Sequence, residues 1–452
     1  MEIPIIGSIF NWESLEDSPS LEGVRSFLAA IPDTELLESL GRARRNGRND
    51  YPVSALWGVV LLTIALRHQT FEACLQDLRR NRRLREMIGI ESEGRVPKKW
   101  NVSRFLEVLG REPHRTLLHR LFDTMARRLA ACVPDLGRRV AGDATSLNAR
   151  RKRDKSAAKE EEAEGLPQAE GGRNEYKDDQ GRITHVLEWF GFKLHLIVDT
   201  KHEVALGYEI TSATADDGLT LPVVLRNLLR NVPRGRVQTL AFDKAGDSSE
   251  VHVRLHAAGI KPVIQNRALW KQEYERMLPG HDGRSNIVYD ESGTVFCYDR
   301  ASNPPVRHRM AYMGHEKSRG TLKYRCPAVY EGWECPSHER CNGTCPSGKT
   351  VRVKQDIDLR RFPAIPRATK QFERLYKERT SVERVNARFK VFWGVDDGNI
   401  TGSARFYAYV GAIMVAHLGF ATLLAARPQS ERTLGRMRLA PLKRAMRETL
   451  AG

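Results

Sequence analysis

The 452-residue chain carries 73 Lys and Arg against 56 Asp and Glu, a net charge of +17 with an isoelectric point near 9.7. Such a surplus points to a polyanionic partner, nucleic acid first; an anionic membrane surface is the weaker reading, because the basic residues are spread through the chain. The length allows two or three domains with an ample core. No window approaches the roughly eighteen uninterrupted apolar residues of a membrane span, and the acidic opening MEIPIIGSIFNWESLEDS is unlike a secretory signal, so the cytoplasm is the expected compartment.

Residues 20–135 read as helical. LEGVRSFLAAI (21–31), VSALWGVVLLTIALR (53–67), FEACLQDLRRNRRLREMIGI (71–90) and RFLEVLGREPHRTLLHRLFDTMARRLAAC (104–132) place apolar residues near the helical period. Pro52 and the run Asn101-Val102-Ser103 fit helix starts. The basic run RRNRRLR (79–85) is a candidate phosphate-contacting surface, with a solvated basic face as the alternative.

After residue 135 the pattern changes. RRVAGD (138–143) is a short apolar segment ending on an acid, and the charged stretch 151–182 reads as a mobile insertion. HVLEWFGFKLHLIVD (185–199) and HEVALGYEIT (202–211) predict a β-hairpin turning at Thr200-Lys201. LTLPVVLRNLLRN (219–231) predicts a helix, RVQTLAFD (236–243) a buried strand, SEVHVRLHAAG another helix and KPVIQ a short strand. This alternation indicates a mixed α/β core. Residues 266–365 are rich in Gly, Pro, Cys and aromatics and read as a β-rich insertion, after which helix returns near Lys370. YAYVGAIMVAHLGFATLLAA (407–426) reads as a buried helix. The expected division is a helical domain over 1–135, the first part of an α/β core over 136–265, the insertion over 266–365, and the rest of the core with a helical tail over 366–452.

Three carboxylates are candidates for one site. Asp143 and Asp243 each end an apolar strand, where ligands gather in open α/β sheets. Asp199 and Asp247 compete for the same role, and an Asp at a strand end often only caps a turn. In YKERTSVERVNARFK (376–390), Tyr376, Arg379, Glu383 and Lys390 fall within an arc of about 60° on a continuous helix. One face then presents an acid flanked by two cations and a phenol, suited to a metal ligand among phosphate clamps; a solvated amphipathic helix is the plainer alternative. Hard divalent ions favour such oxygen ligands and leave room for substrate phosphates.

The blocks GDATSLNAR (142–150), FGFKLHLIVD (190–199), LAFDKAGDSS (240–249) and YKERTSVERVNARFK (376–390) resemble, in order, the catalytic blocks of bacterial insertion-sequence DDE transposases with a Tyr-(2)-Arg-(3)-Glu-(6)-Lys signature. The second block departs in carrying Ala245-Gly246 where that family usually has Gly-Tyr after the Asp. The resemblance spans about residues 50–425 and implies an RNase H-like core preceded by a helical domain that binds transposon ends. It implies Asp143, Asp243 and Glu383 as ligands of two Mg²⁺ or Mn²⁺ ions, with Tyr376, Arg379 and Lys390 on the DNA end. The implied chemistry is cleavage at terminal inverted repeats and attack of a 3′-hydroxyl on target DNA, by at least a dimer on double-stranded DNA. A catalytically silent DNA-binding descendant, or a nuclease without strand transfer, are the alternatives.

Cys326, Cys335, Cys341 and Cys345, with His338 among them, fall within 20 residues, spaced unlike a standard zinc ribbon. Structural zinc and four reduced thiols are both open readings, whereas Cys74, Cys132 and Cys297 read as packing residues. Trp270 and Trp333 read first as packing aromatics and second as stacking platforms for a displaced base.

Overall fold

The computed structural model describes residues 19–44, 50–150, 161–178, 180, 182–271, 274–279, 286–342, 348–397, 400–426 and 434. Seven helices come first: α1 (Pro19–Ala29), α2 (Thr34–Ala43), α3 (Val53–Ala65), α4 (Phe71–Arg80), α5 (Arg82–Glu86), α6 (Lys99–Leu109) and α7 (His114–Cys132). Thr70 and Asn81 cap α4 and α5 by accepting from the amides of Ala73 and Leu84. Helix α6 begins two residues before Asn101, whose side chain turns back to accept from the Lys98 amide.

A mixed sheet follows. Its strands are β1 (Arg139–Asn148), β2 (Glu170–Lys177), β3 (Ile183–Asp199), β4 (Ala205–Ser212), β5 (Thr239–Phe242) and β6 (Lys261–Ile264). Strand β3 runs antiparallel to both β1 and β4, whereas β1, β5 and β6 are parallel. The crossovers are helices α8 (Asp217–Asn231) and α9 (Ser249–Ala257), as parallel pairing requires.

The reading of 151–182 as a mobile insertion is corrected in its second half. Residues 151–160 lie outside the described chain, but β2 pairs along the first half of β3, and buried Glu161 accepts from the Ala404 amide. Ladder hydrogen bonds need no apolar side chains, so composition hid the strand. Gly172 fits closely there, where a Cβ would stand 2.3 Å from the Trp189 ring.

The insertion builds two small sheets. One contains β7 (Glu275–Met277), β8 (Ile287–Asp290), β9 (Val295–Asp299) and β10 (Val306–Arg309). The other contains β11 (Ala311–Glu316), β12 (Thr321–Arg325) and β13 (Thr350–Lys354), with short helices α10 (Pro327–Glu331) and α11 (His338–Asn342) between the last two. These sheets share a core of their own that includes Tyr289, Leu322, Val353 and Phe362. The chain then returns through α12 (Lys370–Lys377), α13 (Thr380–Trp393) and α14 (Ser403–Ala425).

Helix α14 has the length and composition of a membrane span, yet it is apolar on all sides and buried by the protein's own helices, α7 and α6 foremost. Gly411 permits the approach to α7: a Cβ there would meet Leu118 at 2.6 Å. Through α14 the N-terminal helices and the large sheet share one continuous hydrophobic core.

Candidate active site

Register brings Asp143 and Asp243 together. On the parallel strands β1 and β5, Ala141 pairs with Ala241, so the two aspartates lie two residues further along adjacent strands. Gly142 makes room for Phe242, whose ring a Cβ would approach to 2.8 Å. Strand β1 does not stop at Asp143, as the sequence suggested: β3 pairs with it as far as Asn148, so Asp143 lies mid-strand, opposite Leu196. Asp243 directly follows β5 and accepts from the Ala245 amide at the start of a 3-10 turn.

Glu383 comes from α13. The expected single helix over 376–390 is broken: α12 ends at Lys377, α13 starts at Thr380, and Arg379 lies in the joint. The joint is fixed to the sheet by Glu378, whose carboxylate accepts from Arg139 Nη1 at 2.7 Å and Thr200 Oγ1 at 2.9 Å. Helix α13 is held further by buried Glu203 in the β3–β4 turn, which pairs with Arg384 at 2.6 Å and with Arg388. Glu203 keeps this place at a left-handed φ of 55°, a conformation unfavourable for a residue with a Cβ.

Arg379 bridges two of the three carboxylates, at 3.4 Å from Asp143 and 2.5 Å from Glu383. Tyr376, stacked on Phe372, directs its phenol to Arg379. Burial raises the Asp143 carboxyl to about 6; the Asp243 and Glu383 charges add to this and Arg379 opposes it. Asp243 is raised as well, by burial first and then by the neighbouring Asp217. These groups therefore form a half-buried, electron-rich cluster with an arginine as its internal cation. Lys390 stands apart, about 10 Å along α13 from Glu383, and pairs with Asp396 at 3.2 Å.

The competing acids have other partners. Asp199 is buried and accepts from the amides of Gly137, Lys201 and His202, closing the β3–β4 turn. Asp247 is buried among Arg360, Arg367 and His252 at 2.8–3.0 Å and also accepts from the Arg267 amide. It thereby ties both ends of the insertion to the core.

Sequence reasoning missed Lys193, His195 and Asp217, which meet beside Asp243. Lys193 Nζ donates to Asp217 at 3.0 Å and to the Ala215 carbonyl at 2.9 Å. Burial pushes His195 down to about 4. The available signal was a lysine and a histidine alternating through the otherwise apolar FGFKLHLIVD.

Among the described residues, no group of three or more His, Cys, Asp or Glu side chains is already set to hold a metal ion. Cys345 lies outside the described residues. Cys297, read as a packing residue, does pack against the insertion's core and also neighbours Cys326, Cys335 and Cys341. Trp270 packs between Arg276 and Arg361, and Trp333 packs against His308.

No curated protein matches the sequence. Among solved structures, the chain is similar to a piggyBac transposase in a synaptic complex with hairpin DNA. The identity is 13%, the TM-score 0.39, and the match covers 94% of this chain and 81% of that one. The family model described as the transposase DDE domain matches residues 136–418. That span holds the large sheet, the insertion, α12, α13 and most of α14, and the chain accordingly belongs to the DDE-domain transposases.

Proposed function

We propose that the protein is a DNA transposase in which Asp143, Asp243 and Glu383 hold divalent ions, Mg²⁺ or Mn²⁺, for cleavage at transposon ends and transfer of the 3′-hydroxyl into target DNA. The observation that carries this is that Arg379 bridges Asp143 on β1 and Glu383 on α13, with Asp243, just past β5, near enough for its charge to act on both Asp143 and Arg379. The strand order β4-β3-β1-β5-β6, with β3 reversed, supports an RNase H-like core. The donor set fits hard ions: all three side chains are oxygen donors, and Asp143 is held at about 6 within a cluster short of positive charge. Bound there, two such ions supply polarisation of the scissile phosphate and activation of the attacking water or hydroxyl.

The chain's own residues bind and position. Arg379 leaves the carboxylates and grips a DNA phosphate through its planar fork, Lys390 meets the backbone as a point charge, and Tyr376 packs near the end nucleotide. The Glu378 and Glu203 anchors keep Glu383 at a set distance from the strand-borne aspartates. Exposed Arg80, Arg82 and Arg83 on the N-terminal helices offer a second phosphate-contacting surface for the double-stranded terminal repeat. Two ends are held by a homodimer assembled on DNA.

The test is Mg²⁺- or Mn²⁺-dependent cleavage of DNA carrying the native flanks, comparing the unaltered protein with Glu383→Gln. Discrete end nicks lost in the variant, with end binding retained, support the reading. Binding by the unaltered protein without nicks, on demonstrably paired ends, shows a silent DNA-binding descendant. Nicks without joining to target show a nuclease.

A further inference from the structure

We infer that Cys297, Cys326, Cys335 and Cys341 form a structural zinc site that fastens the two sheets of the insertion to each other. The four come from separate elements. Cys297 lies on β9 of the first sheet, Cys326 follows β12 of the second, Cys335 is in the loop after α10, and Cys341 is on α11. All four line one small cavity of about 20 Å³, with room for roughly one water-sized occupant. None of them is in a disulfide.

The surrounding contacts are built to bring the loop to the strand. Asp299, buried at the end of β9, binds the hydroxyls of Ser337 and Ser302, and Ser337 also accepts from the Ala301 amide at 3.1 Å. This pins the segment carrying Cys335 and Cys341 against Cys297. The Cys326 amide donates to the Lys349 carbonyl at 2.8 Å. Donors already face the sulfurs: Asn286 Nδ2 stands 3.5 Å from Cys341 Sγ, and the Ser337 amide faces Cys335. Hydrogen bonds of this kind support thiolate ligands from the outer shell.

Four sulfur donors around one small cavity select zinc over the hard ions suited to carboxylates. The four thiols line the cavity without forming a closed metal site, so binding would draw them together and release their protons to solvent. The need is structural, because the insertion's separate core is small for two sheets and two short helices.

The test uses the full chain and involves neither DNA nor cleavage, so it stands apart from the transposase reading. Zinc content is measured by mass spectrometry after gel filtration, and Co²⁺ is then substituted for zinc. The expected result is about one zinc per chain and the intense absorption of tetrahedral cobalt thiolate. Cys297→Ser should weaken zinc binding at least about tenfold. Cys297→His, which keeps a ligand, should bind cobalt with an altered spectrum, and Cys132→Ser on the exposed end of α7 should change nothing. Absence of zinc and of cobalt–thiolate absorption in the unaltered protein overturns the assignment, as does an unaltered spectrum in both Cys297 variants.

Discussion

Asp143 shows how a proposed site residue can weaken the fold that carries it. Its carboxyl is raised from 3.8 to about 6, so the folded chain holds its proton more tightly than the unfolded chain does. Stability therefore falls as pH rises from about 4 through about 6. Asp143→Asn should raise the Tm of the DNA-free protein near pH 8, by an effect of order 1 kcal/mol at this quarter-exposed side chain, and change it little near pH 5. Thermal melts at the two pH values check this. Arg379 has the opposite character: it bridges Asp143 and Glu383, the carboxylates proposed to hold metal. Arg379→Gln should tighten Mn²⁺ binding to the DNA-free protein about tenfold, read by calorimetry, while weakening binding of the DNA end.

At the scale of elements, buried charges decide where α13 and the insertion sit. Glu203 meets one half-exposed and one partly buried arginine, Arg384 and Arg388. Glu203→Ala removes a buried carboxylate that serves both arginines and should cost about 3 kcal/mol in urea unfolding. Arg384→Ala, at the exposed end, should cost under about 1 kcal/mol. Asp247 is the corresponding anchor for the insertion. Although burial pushes it up, His252, Arg367 and Arg360 hold it at about 2. Its contribution is thus complete above about pH 4 and disappears as pH falls through about 2. Asp247→Asn should cost about 3–5 kcal/mol and open residues 266–365 to limited proteolysis before the large sheet unfolds.

Across the whole molecule, the net charge of +17 sets how it meets a polyanion. The affinity for double-stranded DNA should fall steeply with salt, and Lys390→Ala should reduce the slope of log K against log salt by about one. Titrations from low to moderate salt measure this. Helix α14 gives the molecule its cohesion, because one apolar rod fills the space between the N-terminal helices and the sheet.

The periodicities of residues 20–135 and the alternation after 135 were enough to recognise helices followed by a mixed α/β fold, since both follow from which side chains must leave water. The ordered blocks from GDATSLNAR to YKERTSVERVNARFK likewise carried the transposase family. Local pattern could not distinguish Asp143 and Asp243 from Asp199 and Asp247. That difference lies in partners distant in sequence, three backbone amides for Asp199 and a pair of buried arginines for Asp247. The break at Arg379 was hidden for the same reason: the residues are good helix formers, and Glu378 is held by Arg139 and Thr200 on the sheet. Strand β2 and the place of Cys297 beside the other thiols were also decided by pairing and packing across long separations. Burial pattern is written along the chain, whereas the partner of a buried charge or thiol is chosen only when distant segments meet.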